Sequence, residues 1–174
     1  MRFVSSDGMK LDEVQREGVL DCLVLSRPEN NLIDDLDRLS WREKMKLSLL
    51  PCDAFALCFE YPSTKWYSTE LDDYDCIKNI IFDPILSGNG ARGSSLSGLL
   101  KSFKDFDAST KDKIRNIQQS NQTHKITALK KRDSNDIAIL DGWHRAIAAA
   151  MKRDPIPAYL GVTEQFLKSW ERPV

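Results

Sequence analysis

Residues 141 to 145, which read Asp-Gly-Trp-His-Arg, hold the side chains best suited to chemistry in this chain. An apolar run precedes them and a helical pattern follows, so we expect a strand to end and a helix to begin here. The first turn of a helix exposes unpaired N–H groups and the positive end of the helix dipole, which together attract anions. His144 and Arg145 fall in that turn and add donors for phosphate oxygens, while Gly142 lets a ligand approach the backbone.

Each of these residues also has a purely structural interpretation. Asp141 is either a helix N-cap or a direct ligand, holding a metal ion and serving as the catalytic carboxylate. Gly142 on its own would be a turn residue. Trp143 is expected to pack in the core, the usual outcome for an aromatic side chain, and not to stack on a base. His144 and Arg145 together at a helix start favour phosphate contact over packing.

Regular elements around this corner would hold it in place. The patterns predict, in chain order, a helix over 107–119, strands over 125–129 and 136–140, a helix over 143–152, a strand over 155–160 and a closing helix over 164–170. Asp107 or Ser109 would cap the first helix. The first two strands should pair as a hairpin, with Ile126 and Ala128 on one face. Met151 is among the residues expected to face the core from the helix after the corner.

The first half of the chain has weaker patterns. Residues 9–50 look helical, with a second helix over 41–50 that ends before a proline. Residues 53–61 are short, apolar and aromatic, which predicts a buried strand, and another strand is expected at 79–82. The Gly/Ser-rich stretch 87–95 either wraps a phosphate with its backbone N–H groups or, as we favour, is a flexible connector.

Composition indicates an ordinary globular protein, with 41% hydrophobic and 29% charged residues. The formal net charge is -1, so affinity for nucleic acid would have to come from a local basic patch. No apolar run approaches the roughly 20 residues that cross a bilayer, and no signal peptide is expected. None of the 4 cysteines forms a CxxC pair. That spacing argues against structural zinc and favours free, mostly buried thiols in a reducing cytoplasm.

Residues 137–150 run from an apolar strand through the corner into an alanine-rich helix, and residues 156–160 begin with Ile-Pro. This order resembles the core of ParB/sulfiredoxin domains, in which a strand, a Gly-x-[His/Arg]-Arg corner, an alanine-rich helix and an Ile-Pro strand follow one another. The preceding helix, Gln122 and the strand over 125–129 resemble the unit ahead of that corner. The resemblance covers residues 105 to 162.

The resemblance implies an α+β fold in which a small mixed sheet is packed by helices. A nucleotide-binding domain would occupy 53–174, preceded by a mainly helical addition over 1–52. Sulfiredoxins carry a catalytic cysteine between the glycine and the histidine, a position that Trp143 occupies here, so sulfinic-acid reduction is not expected. Chromosome-partition ParB proteins bind CTP and continue into a helix-turn-helix domain, but few residues follow Leu160 in this sequence.

Nucleotide binding is the function that the resemblance implies. In this superfamily the His-Arg pair and the helix N-terminus hold nucleotide phosphates, which maps to His144, Arg145 and the backbone of Gly142. Polar residues of the preceding helix also touch the nucleotide, and Lys111 and Lys113 are the candidates here. The ligand would be ATP or CTP with Mg²⁺.

Three functions stay open. The first is an ATP-binding and hydrolysing protein that binds or cleaves DNA. It would resemble the free-standing Osa-type plasmid fertility inhibitors of this fold, which look like ATPases with DNase activity. Asp141 would then share Mg²⁺ with the phosphates. The basic turn Lys130-Lys131-Arg132 would meet a DNA backbone, unless it is only a solvated hairpin tip.

The second function is a small-molecule phosphotransferase, which needs a carboxylate to position an acceptor hydroxyl. Glu60 is the best remaining acid for that role, although a surface position is the simpler interpretation. The third is a non-catalytic inhibitor or adaptor that binds a protein partner through the N-terminal region.

Overall fold

The computed structural model describes residues 2–4, 10–26, 30, 33, 35–50, 55–60, 63–78, 95–120 and 124–164. Seven strands within these residues form one mixed sheet in the order β1-β2-β3-β7-β5-β6-β4. The strands are β1 Arg2–Val4, β2 Lys10–Val14, β3 Lys65–Leu71, β4 Ile77–Lys78, β5 Ile126–Lys131, β6 Ile137–Asp141 and β7 Ile156–Thr163. Neighbours run antiparallel except β5 with β7 and β4 with β6, which are parallel.

Helices connect and cover these strands. They are α1 Arg16–Leu25, α2 Trp41–Ser48, α3 Leu96–Lys101, α4 Ala108–Gln119 and α5 Trp143–Lys152, with a π-helix over Ala56–Glu60 and 3-10 turns over Leu36–Arg38 and Phe103–Asp105. The predicted cap of α4 is present, because the Asp107 carboxylate accepts from the Thr110 backbone N–H at 2.8 Å. Arg153, at the C-terminal end of α5, adopts the left-handed conformation that commonly ends a helix.

Two hydrophobic clusters lie on the two faces of the sheet. Helices α3, α4 and α5 pack on one face, where Ile114 and Ile147 are fully buried against strand residues such as Ala128. Helix α1 and the π-helix pack on the other face, together with Leu129. Consecutive strand residues point to opposite faces, which is why Ala128 and Leu129 belong to different clusters. The predicted α+β class, a mixed sheet packed by helices, is confirmed.

The prediction that residues 9–50 are helical throughout is wrong at its beginning. Lys10–Val14 form strand β2, which pairs antiparallel with β3. The segment is short and pairs with β3, far away in sequence, as well as with β1, so local periodicity did not reveal it. The helix expected over 41–50 is α2, and it begins with a capping box between Ser40 and Glu43.

The buried strand predicted at 53–61 is also wrong, because Ala56–Glu60 form a π-helix. Its aromatic residues pack on aromatic rings from distant elements. The Phe59 ring stacks on Trp66 with centroids 5.4 Å apart, and the Phe55 ring meets Trp41 edge-on at 5.6 Å. Tertiary packing of these rings overrides the strand preference of the local sequence.

Other predictions for the last third agree with the structure in most respects. The strands and helices expected around residues 107–160 are present, Ile126 and Ala128 share one cluster, and Trp143 is 5% exposed in that cluster. Met151 does not face the core, since it is 40% exposed on the far side of α5. The predicted segments at 79–82, 87–94 and 165–170 lie outside the described residues.

The described cysteines are free: Cys22 is exposed, Cys58 is buried and Cys76 is intermediate. The expectation of mostly buried thiols therefore holds only for Cys58, whose thiol pKa is raised by burial. Cys52 lies outside the described residues. Within the described part of the chain, no helix combines the length and the apolar character that a bilayer crossing requires.

Candidate functional site

The corner between β6 and α5 is built on Gly142. This residue is the N-cap of α5 and has φ 100°, the left-handed region that side chains other than glycine rarely adopt. A Cβ atom there would lie 2.7 Å from Ile126 Cγ2 and 2.9 Å from Arg145 Nε. The interpretation of Asp141 as N-cap is wrong, since the N-cap residue of α5 is Gly142.

Asp141 and Arg145 form an ion pair across the first turn of α5. One Arg145 nitrogen donates to Asp141 Oδ2, and the two side chains are only 18% and 10% exposed, respectively. The Arg145 guanidinium lies against the face of Gly142 that has no side chain. A planar guanidinium has five donors in a fixed fork, so this pairing leaves further N–H groups for an anion at the same place.

Ser26, the C-cap residue of α1, also contacts this pair. Its Oγ lies 3.1 Å from Asp141 Oδ2 and 2.7 Å from the Leu23 carbonyl oxygen. The one carboxylate oxygen of Asp141 is therefore shared between α1 and α5. Nothing in the sequence indicated this contact, because Ser26 and Asp141 are far apart in the chain.

Helix α5 begins at Trp143, so residues 143 to 145 form its first turn. The Ala146 N–H donates to the Gly142 carbonyl at 2.9 Å, so the helical ladder begins there and the N–H groups of residues 143 to 145 have no acceptor within the helix. His144 is half-buried, and its Nε2 atom is buried. The predicted placement of His144 and Arg145 in the first turn of a helix after Gly142 is confirmed, and their contact with phosphate stays a prediction.

The lysines predicted to touch a nucleotide lie on α4. The Lys111 ammonium donates to the Lys104 carbonyl at 2.6 Å and so closes the turn that precedes the helix. Lys113 is exposed. Helix α4 packs beside α5 through Ile114 and Ile147, but the structure gives neither lysine a contact with the corner.

The basic turn lies at the opposite end of the hairpin from the corner. Arg132 is ion-paired with Glu164. Lys130 lines a cavity of about 370 Å³ together with Asp72 and Asp73. Lys130 and Arg132 therefore have acidic neighbours, which weakens the attraction expected between this turn and a DNA backbone.

Metal binding would depend on Asp141 and the ligand together. No group of three or more His, Cys, Asp or Glu side chains suited to a metal ion occurs among the described residues. Mg²⁺ is commonly held by one or two carboxylates plus substrate phosphates, so a single Asp141 fits an ion that arrives with a nucleotide. Glu60, the acid considered for phosphotransfer, is exposed at the end of the π-helix.

Comparison of the chain with protein-family models, with curated proteins and with solved structures gave no match. The functional interpretation therefore depends on the geometry of the site and on the sequence motif.

Proposed function

We propose that this chain is a nucleotide-binding protein of the ParB/sulfiredoxin type and that the 141–145 corner holds the nucleotide phosphates. The observation that carries the proposal is the Arg145 guanidinium packed over Gly142 at the start of α5, where the helical ladder begins only with the Ala146 N–H. A helix N-terminus with an arginine beside it supplies the kinds of donor that recognition of a phosphate requires.

In this proposal Asp141 has two roles. Without ligand it neutralises Arg145 and holds the guanidinium over the corner. When a phosphate arrives, Arg145 shares its remaining donors with the phosphate oxygens, and the carboxylate becomes available to a Mg²⁺ ion that the phosphates bring. The ion would neutralise phosphate charge, while His144 and the backbone N–H groups orient the phosphates.

Hydrolysis of ATP and action on DNA extend this proposal. Hydrolysis requires Asp141 to leave Arg145 or to act through a water molecule, which makes Asp141 the residue to test for catalysis. Action on DNA has less support, because Glu164, Asp72 and Asp73 lie beside the basic turn. We further expect the protein in the cytoplasm, where nucleotide triphosphates are abundant.

Isothermal titration with ATP and with CTP, each with Mg²⁺, tests the proposal. Adenosine is the matched control, because it has the base and sugar but no phosphate. Binding of a triphosphate together with no measurable binding of adenosine is the expected result. Failure of both triphosphates to bind would refute the assignment. Equal affinities for ATP and adenosine would show that the phosphates do not contribute to binding.

A further inference from the structure

A second polar cluster lies at the same edge of the sheet as the corner. Lys125 immediately precedes β5, which runs antiparallel to β6, so the start of β5 lies beside the end of β6. Its neighbour Ile126 lies against Gly142, as described above. The backbone of Lys125 therefore lies at the sheet edge that carries the 141–145 corner, and its side chain extends over β7 towards β3 on the opposite face from that of Ile126.

The Lys125 ammonium is held in position by neutral groups. Its Nζ donates to Ser68 Oγ at 2.5 Å and lies 4.7 Å from the centroid of the Tyr159 ring. Among the described residues, Lys125 forms no ion pair with a carboxylate. The sheet register explains the grouping, because Ser68, Tyr159 and Thr127 lie side by side on β3, β7 and β5.

The charges of the cluster differ from those of the corner. Arg145 is matched by Asp141, whereas the partners of the half-buried Lys125 within the described part of the chain are neutral. Burial and the hydrogen bond from the Cys22 thiol raise the pKa of Tyr159, so its phenol stays neutral at physiological pH. The register sets an exposed acid, Asp12, opposite Ser68 on β2. A half-buried ammonium without an ion-pair partner favours the approach of an anion.

We infer that Lys125, positioned by Ser68 and Tyr159, is a second phosphate contact of the nucleotide site, acting together with Arg145 on the same polyphosphate. The inference deepens the proposed function and rests on it. Two cations on neighbouring elements, one neutralised by Asp141 and one not, suit a ligand with several adjacent negative charges. A nucleoside triphosphate fits that description better than a single phosphate.

Substitution of Lys125 tests this inference in the full chain. Lys125→Met removes the charge and keeps most of the side-chain volume, Lys125→Arg keeps the charge, and Lys65→Met removes an exposed lysine from the same strand as Ser68. Each variant is titrated with ATP and Mg²⁺ after its circular dichroism spectrum and melting temperature have been compared with those of the unsubstituted protein. We expect Lys125→Met to weaken ATP binding by about tenfold or more, as loss of a charge-assisted contact should.

Lys125→Arg should recover most of the affinity, and Lys65→Met should leave it unchanged. ATP binding by folded Lys125→Met with the affinity of the unsubstituted protein overturns the inference and leaves the proposed function standing. If the unsubstituted protein binds neither ATP nor CTP, the proposed function fails, and pyrophosphate is the next probe. Pyrophosphate binding that Lys125→Met loses would still support an anion site at Lys125, whereas its absence or its persistence in Lys125→Met would overturn that site as well.

Discussion

Ser26 Oγ, at the end of α1, lies 3.1 Å from Asp141 Oδ2, at the end of β6, although the two residues are 115 positions apart. The same carboxylate oxygen accepts from Arg145 of α5. Asp141 therefore connects the helix layers on the two faces of the sheet, and it does so at the candidate phosphate site.

Ser26→Ala should destabilise the protein by about 1 kcal/mol more than Ser120→Ala, because the one Ser26 hydroxyl hydrogen is shared between the Leu23 carbonyl and the charged Asp141 carboxylate. Ser120 is a matched control: it is the C-cap residue of α4, and its Oγ donates to the Ile117 carbonyl at 3.0 Å, as Ser26 Oγ does to the Leu23 carbonyl at 2.7 Å. Urea denaturation measures the free energy of unfolding of both variants. Equal losses of unfolding free energy would mean that the Asp141 contact adds nothing to stability.

Gly142→Ala should destabilise the fold by about 2 kcal/mol or more, since a left-handed φ and two close contacts oppose the added methyl group. Gly18→Ala is the control, because a Cβ at Gly18, within α1, has no atom within 4 Å. Alanine in a helix interior is favoured over glycine by about 0.5–1 kcal/mol, so Gly18→Ala should stabilise. Thermal denaturation measures the melting temperature of both variants. An unchanged melting temperature in Gly142→Ala would contradict the close packing of the corner.

Stability should fall in acid, in part through the cap of α4. The side-chain hydrogen bond from Thr110, followed by the Thr110 backbone N–H, holds the pKa of Asp107 below its usual value of 3.8. A carboxyl with a depressed folded pKa stabilises above its unfolded pKa, and that contribution disappears as pH falls through the folded value. The melting temperature should therefore decrease as pH is lowered from 4 towards the lowered pKa of this carboxyl.

Asp107→Asn separates this effect from general acid denaturation. Asparagine caps a helix without titrating, so the variant should lose less of its melting temperature over the same pH range. Asp112→Asn, on the exposed side of the same helix, is the comparison variant. Identical pH profiles for Asp107→Asn and the unsubstituted protein would show that the cap does not couple to folding.

Cys76 should react slowly with alkylating reagents. Its thiol donates to Asp73 Oδ2 at 3.0 Å, and this bond, with burial, raises the pKa of Cys76 to about 11. Asp73→Asn keeps the turn acceptor but removes the negative charge, so alkylation of Cys76 by iodoacetamide at pH 8 should become several-fold faster. Peptide mapping by mass spectrometry follows each cysteine separately, and Asp72→Asn is the matched control. An unchanged Cys76 rate in Asp73→Asn would contradict control of this thiol by Asp73.

The parts of the fold that the sequence predicted are those with local causes. Asp107 caps α4 through a residue three positions away, and the turn between β5 and β6 joins strands that are adjacent in the chain. The corner at Gly142 was predicted for the same reason: a strand, a glycine and a helix follow one another directly. Short-range signals of this kind are readable from one sequence.

The parts that were missed depend on contacts across the chain. Lys10–Val14 is a strand because β3 pairs with it, and Phe59 adopts a π-helical backbone while its ring stacks on Trp66. The same distinction between local and long-range causes applies to the residues of the site. Arg145 was predicted from its position after Gly142, whereas the contacts of Ser26 and Lys125 required the strand order and the placement of α1, which no local pattern specifies.

Arg145 is the residue on which the proposed function depends, but its removal alone would leave the 10%-exposed Asp141 without its ion partner. An unpaired, mostly buried carboxylate is strongly destabilising, so Arg145→Ala by itself could reduce binding merely by unfolding the corner. The informative comparison is between Asp141→Asn and the double variant Asp141→Asn with Arg145→Ala. Both replace the carboxylate with a neutral amide, whose oxygen can still accept from Arg145 in the single variant. Arg115→Ala, which removes an exposed ion pair from α4, is the control for loss of one positive charge.

The central measurement is isothermal titration of these folded variants with ATP and Mg²⁺. The proposed site predicts that the double variant loses measurable ATP binding relative to Asp141→Asn, while Arg115→Ala binds as the unsubstituted protein does. ATP affinity that is equal in the double variant and in Asp141→Asn would contradict the proposal that Arg145 and the start of α5 hold the nucleotide phosphates.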